Sequence, residues 1–134
     1  MPDRPSAPLH GRRVLVVEDE YVLAEELRDE LERLGADVLG PVAAVGDALD
    51  LLAREALPDV AVLDVNLGGE MIYSAADLLA ERGVPFMLAT GYDVSMIPAR
   101  FGHIVRCEKP INFTQVTRAI ERMLSGGPLV SADV

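Results

Sequence analysis

Apolar positions along the 134-residue chain switch repeatedly between two spacings. Val14 to Val17 is an unbroken apolar run, which suits a strand buried on both faces. Leu23, Leu27, Leu31 and Leu34 follow at helical intervals, with Glu25, Glu26, Asp29, Glu30, Glu32 and Arg33 on the other faces, and Gly35 stops this helix. Val38 to Val42 predicts a weaker strand, assigned to a sheet edge by Pro41. Ala48, Leu49, Leu52 and Ala56 mark a second helix, ended by Pro58. Val60 to Leu63 is the next apolar strand. After a Gly68-Gly69 turn, Ala75, Ala76, Leu78 and Leu79 predict a third helix, closed by Gly83. Phe86 to Ala89 is another apolar strand. Residues 90–102 contain Gly91, Pro98 and Gly102 and leave room for a short or irregular fourth helix at most. Ile104 and Val105 predict a brief last strand. Val116, Ala119, Ile120 and Met123 line a final helix that starts near Asn112–Thr114.

Strand and helix thus alternate about five times. Each return to a parallel strand needs a crossover, so the pattern predicts an α/β fold with helices on both faces of a parallel sheet. A weak second strand belongs at an edge and apolar ones at the centre. The doubly wound five-stranded order 2-1-3-4-5 satisfies both conditions. The domain is expected over residues 11–124. The Pro-rich start reads as a flexible leader over residues 1–10, and residues 125–134 read as a C-terminal tail.

Composition narrows the function classes. Half the residues are hydrophobic and a quarter are charged, a soluble globular profile. One cysteine, Cys107, excludes an intrachain disulfide framework, and two histidines argue against a His-based metal site. No apolar run approaches a membrane span and residues 1–13 lack the apolar stretch of a signal peptide, so the cytoplasm is the expected location. A net charge of −10 argues against nucleic acid and anionic membranes as partners. The charge is uneven. Residues 11–94 hold 6 Arg against 18 Asp or Glu, whereas residues 95–125 hold 5 cations against 2 acids. Chance variation of surface charge explains this as well as a docking face would.

Candidate chemistry follows from the fold. In an open α/β sheet, ligands bind beyond the carboxyl ends of the strands, where strand order reverses. There the first strand ends in Glu18-Asp19-Glu20, the third in Asp64 and the fourth in Thr90, and the fifth is followed by Lys109-Pro110. Asp19 and Asp64 should be neighbours across the reversal. An all-oxygen set suits a hard cation, Mg²⁺ or Mn²⁺, held by Asp64, Asp19, a backbone carbonyl near Asn66, and Glu18 directly or through water. A helix N-terminus also favours acids, which accounts for Glu18 to Glu20 taken alone. It does not account for Asp64 at the end of an apolar strand. Lys109 is the only lysine of the chain. It reads either as a solvated loop residue or as a compact charge for a carboxylate or a phosphoryl oxygen. Its bond to Pro110 is a candidate for the cis form. Thr90 reads as a β-branched strand end or as a hydroxyl donor to an anion. An aspartate nucleophile, a metal, a cation and a hydroxyl donor together are what phosphoryl transfer to a carboxylate requires.

On these residues the chain resembles the response-regulator receiver domains, over about residues 11–124. The resemblance implies a CheY-like, flavodoxin-like fold. It implies that Asp64 accepts a phosphoryl group from a histidine kinase or histidine phosphotransfer protein. Glu18 and Asp19 would help hold Mg²⁺, and Thr90 and Lys109 would sense and stabilise the modified state. The signal would pass to a downstream protein at a face formed by the fourth strand, the segment after it, the fifth strand and the last helix. Receivers of this kind are phosphoacceptors rather than enzymes, beyond self-phosphorylation from small donors and slow loss of the phosphoryl group. A narrower resemblance is to the alphaproteobacterial receivers nicknamed FAT GUY, often freestanding and linked to general stress signalling. Their strand-four motif is similar to Pro85-Phe86-Met87-Leu88-Ala89-Thr90-Gly91-Tyr92, with Leu88 in place of Phe. The turn Asp64-Val65-Asn66-Leu67-Gly68-Gly69-Glu70 also looks like theirs.

Two departures bear on switching. The Met-Pro expected after the phosphoacceptor is absent. Arg106 stands where an aromatic residue ordinarily couples to the threonine, which leaves Tyr92 either as its substitute or as a loop aromatic capping the core. Two other function classes stay in view. A receiver-like binding module working without phosphorylation is disfavoured by the intact Glu18, Asp19, Asp64 and Lys109. An aspartyl phosphohydrolase is disfavoured by Asn66, since such enzymes place an acid two residues after the nucleophile.

Overall fold

The computed structural model describes residues 7–55, 57–91 and 97–126. Ala56, Tyr92, Met96, residues 1–6 of the expected leader and residues 127–134 of the expected tail lie outside them. The elements run β1 (Arg13–Val17), α1 (Tyr21–Arg33), β2 (Asp37–Val42), α2 (Val45–Arg54), β3 (Val60–Asp64), β4 (Asn66–Leu67), β5 (Glu70–Met71), α3 (Tyr73–Glu81), β6 (Phe86–Thr90), a 3-10 helix (Ala99–Phe101), β7 (Arg106–Glu108) and α4 (Phe113–Ser125).

Five parallel strands form one sheet in the order β2-β1-β3-β6-β7. This is the expected doubly wound order, with the Pro41 strand at an edge. The three apolar strands are its interior, and their two faces feed two separate cores. Leu15, Val17, Ala61, Leu63, Phe86 and Leu88 pack toward α2 and α3. Val14, Val16, Val60, Val62 and Met87 pack toward α1 and α4. Period-two alternation within a continuous apolar run is what lets one strand serve both layers.

Three sequence expectations change. Ile104 and Val105 are not the last strand; it is Arg106–Glu108. The ladder starts at the Val105 carbonyl, which accepts from Leu88 N, and runs on through the pairing of Arg106, Cys107 and Glu108 with Leu88, Ala89 and Thr90, Cys107 alone of the three being buried. An alternating strand was masked by two charged residues. Leu9 and His10 do not belong to a loose leader. Leu9 is fully buried among Leu27, Leu31 and Ile120, and its N–H donates to Leu34 O. Gly35, at φ +99°, lets this turn approach, since a Cβ there would lie 2.9 Å from His10 Cα. The third change is a small antiparallel hairpin, β4–β5, closed by Gly68 and Gly69 at φ +63° and +102°. The 3-10 helix is the short irregular element that residues 90–102 allowed. His103 lies in the exposed turn before the last strand, and Cys107 is a buried strand residue.

Candidate functional site

Strands β1, β3 and β6 carry their final side chains to one rim. Glu18 directly follows β1, and Asp64 and Thr90 end β3 and β6; each is only 4% exposed. Parallel register brings Asp64 beside Ala89 and Thr90 beside Glu108, one residue short of Lys109. The Lys109 N–H donates to the Thr90 carbonyl at 2.9 Å, and the Lys109–Pro110 bond is cis.

Carboxylate oxygens of Glu18, Asp19 and Asp64 all lie within 4.8 Å of one another. Lys109 Nζ is 3.1 Å from Asp64 Oδ2 and 3.4 Å from Glu18 Oε2. Glu18 Oε2 also accepts from Glu20 N, and Asp64 Oδ1 accepts from Asn66 N at 3.3 Å. One ammonium therefore faces two buried carboxylates, and a third, exposed carboxylate lies beside them. Burial, then the Asp64 charge, pushes Glu18 up to about 7. Burial also raises Asp64, against the opposing pull of Lys109. Burial works against the Lys109 charge, but the hydrogen bonds and charges of Asp64 and Glu18 outweigh it and hold that pKa above the ordinary lysine value.

The cavity above this cluster measures about 430 Å³ and is lined by Asp19, Asp64, Asn66, Thr90 and Lys109 among others. Its donor set is oxygen only, and three carboxylates gather beside a single ammonium. Both properties fit a hard divalent cation. Asn66 reaches the cavity, with its side-chain oxygen engaged by Gly69 N at 2.7 Å inside the hairpin. Arg106 does not line it; it pairs with Leu88 in the sheet and donates to Gly102 O at 3.4 Å. Tyr92 is outside the described residues.

Sequence reasoning missed the cavity's apolar walls, Met71 and Ile97. It also missed the ion pair of Arg100 with Asp77 on α3. Gly-Gly between two short segments is a hairpin signal that would have located Met71. Ile97, between two chain breakers, offers no periodicity to read.

A doubly wound sheet with acids at the strand-order reversal and a lysine across from them defines a class of α/β domain with an acidic site at its strand ends. The comparisons narrow it. No family model matches the chain. The chain is similar to SdrG from Sphingomonas melonis Fr1, 36% identical, covering 87% of this chain and 98% of that one at a TM-score of 0.73. It is 31% identical to the signal receiver domain of a modulated diguanylate cyclase from Desulfovibrio desulfuricans G20, covering 86% and 94% at a TM-score of 0.74. It is 26% identical to the PhyR stress response regulator, covering 92% of this chain and 49% of that one at a TM-score of 0.75. The chain belongs to the response-regulator receiver domains. Among curated relatives it is 34% identical over 84 residues to the sensory transduction protein LytT of Bacillus cereus, covering 60% of this chain and about a third (34%) of LytT.

Proposed function

We propose that this receiver accepts a phosphoryl group on Asp64 from a histidine kinase or histidine phosphotransfer protein and passes the signal to a protein target. The observation that carries this is the meeting of Glu18, Asp19, Asp64 and Lys109, drawn from three separated stretches of chain, in one cluster at the strand ends. An Asp64 oxygen forms the new bond to phosphorus as the bond from phosphorus to the donor imidazole nitrogen breaks. The electron pair leaves with that nitrogen. Lys109 holds the acceptor carboxylate in place and faces the phosphoryl oxygens. Thr90, at the next strand end, lines the same cavity and is placed to donate to them. Glu18, Asp19 and Asp64 would hold Mg²⁺ or Mn²⁺, which when bound neutralises charge on the transferring group.

The output face in this reading joins β6, the segment after it, β7 and α4, with Tyr92 and Arg106 as switch or partner residues. Arg106 bonds to the turn behind the 3-10 helix instead of pointing into the cavity, so it would act on that segment. A place in general stress signalling is supported by the motif around Thr90 and by the likeness to a protein described as a stress response regulator. In Mg²⁺ with a small acyl phosphate as donor, the intact protein should gain the mass of one phosphoryl group. Asp64→Asn and Asp64→Ala should gain none, and label surviving in both would overturn the proposal.

A further inference from the structure

The cavity over Asp64 has a polar floor and half-buried apolar walls at Met71 and Ile97. Met71 is fixed by the hairpin that follows Asp64. Ile97 is fixed from the other side. Two residues beyond it the chain enters the 3-10 helix Ala99–Phe101, and this turn is fastened to α3 by an ion pair between residues 23 apart in sequence. Arg100 Nε donates to Asp77 Oδ1 and Arg100 Nη2 to Asp77 Oδ2, both at 2.9 Å, a two-pronged geometry that fixes direction as well as distance. Phe101 is 3% exposed and stacks on Tyr73, with centroids 5.6 Å apart and planes 22° apart; it meets Phe86 edge-on at 6.0 Å. The Arg100 guanidinium carbon stands 4.7 Å from the Phe101 ring centre. Tyr73 and Asp77 are four apart on α3, so one helix face receives both.

Burial of Phe101 already holds the 3-10 helix down. An exposed ion pair adds little to that in energy, but it sets the orientation of the turn and hence of Ile97 just before it. We propose that the Arg100–Asp77 pair is a positioning element of the phosphoacceptor pocket, holding Ile97 as an apolar wall that keeps water from a phosphoryl group on Asp64. The inference rests on the function proposed above. Loss of the group to water forms a bond from the water oxygen to phosphorus and breaks the bond to Asp64. The carboxylate leaves with the electron pair, and the water proton passes to solvent. An apolar wall removes positions from which that water attacks.

The test labels the full chain with a small acyl phosphate and Mg²⁺, removes the donor, and follows the first-order loss of phosphoryl mass. Arg100→Ala and Asp77→Ala should each speed the loss about two- to fivefold, the bias an exposed pair of good geometry supplies. Arg100→Lys should recover part of the lifetime. Ile97→Ala should also speed the loss, and adding Arg100→Ala to it should add nothing further, because both act through one side chain. Unfolding midpoints in urea should stay close to wild type. Unchanged lifetimes in Arg100→Ala and Asp77→Ala would overturn the inference, as would fully multiplicative effects in the double variant or a midpoint loss large enough to explain the faster decay. A wild type that takes up no phosphoryl group removes the functional reading, and this inference with it.

Discussion

Replacing Glu18 with Gln isolates the electrostatic cost stored in the site. In the absence of divalent cation, Glu18 and Asp64 share one ammonium in a buried pocket, and burial with the Asp64 charge carries Glu18 from 4.5 to about 7. Between those values the folded protein binds more protons than the unfolded chain, so stability must fall as pH rises. The favourable contribution is complete below about pH 4.5 and is gone once pH has passed about 7. A displacement of that size corresponds to about 3 kcal/mol at roughly 1.4 kcal/mol per pH unit. Urea unfolding followed by circular dichroism, in a chelator from pH 4.5 to 8, should show wild type losing stability relative to Glu18→Gln by about that amount. The variant should be the more stable protein at pH 8. Excess Mg²⁺ at pH 8 should stabilise wild type more than the variant, by mass action on an intact ligand set. Parallel pH profiles for the two proteins would refute the argument, because they would mean that Glu18 is not held in the low-dielectric contact described.

Removing the ammonium should have the opposite character. Lys109→Met leaves two buried carboxylates without their partner and should cost about 2–4 kcal/mol at pH 8, most of it recovered at pH 5, as read by the same urea titrations. Gly35→Ala forces a side chain into a left-handed backbone conformation and against His10, and should cost at least about 1–2 kcal/mol in thermal or urea unfolding. Asn112→Ala removes the side-chain oxygen that accepts from Gln115 N at the start of α4, and should cost about 1 kcal/mol with no effect on the pH profile.

Much of this was readable from the residues because the relevant signals are local and repetitive. Four-residue apolar runs fix β1, β3 and β6, and with them the ends where Glu18, Asp64 and Thr90 stand. The strand-order rule then brings Asp19 next to Asp64 without any knowledge of contacts. The failures came where position is set by partners distant in sequence. Leu9 sits in a Pro-rich stretch that looks unstructured, yet the Leu27–Leu31 face of α1 buries it. The strand Arg106–Glu108 is polar at two of three positions, because one face meets the edge of the molecule. Ile97 and the Arg100–Asp77 pair follow no period at all; their place depends on how Phe101 packs against Tyr73.

The central claim is that three carboxylates and one ammonium act as a single phosphoacceptor site. Its most direct test is to locate the modification. After exposure to a phosphorylated histidine kinase or a small acyl phosphate with Mg²⁺, borohydride reduction and peptide mapping should place the reduced residue at Asp64 alone. The signal should disappear in chelator and fall sharply in Asp19→Asn. A modified residue elsewhere, or equal modification of Asp64 without cation and without Asp19, would contradict the account.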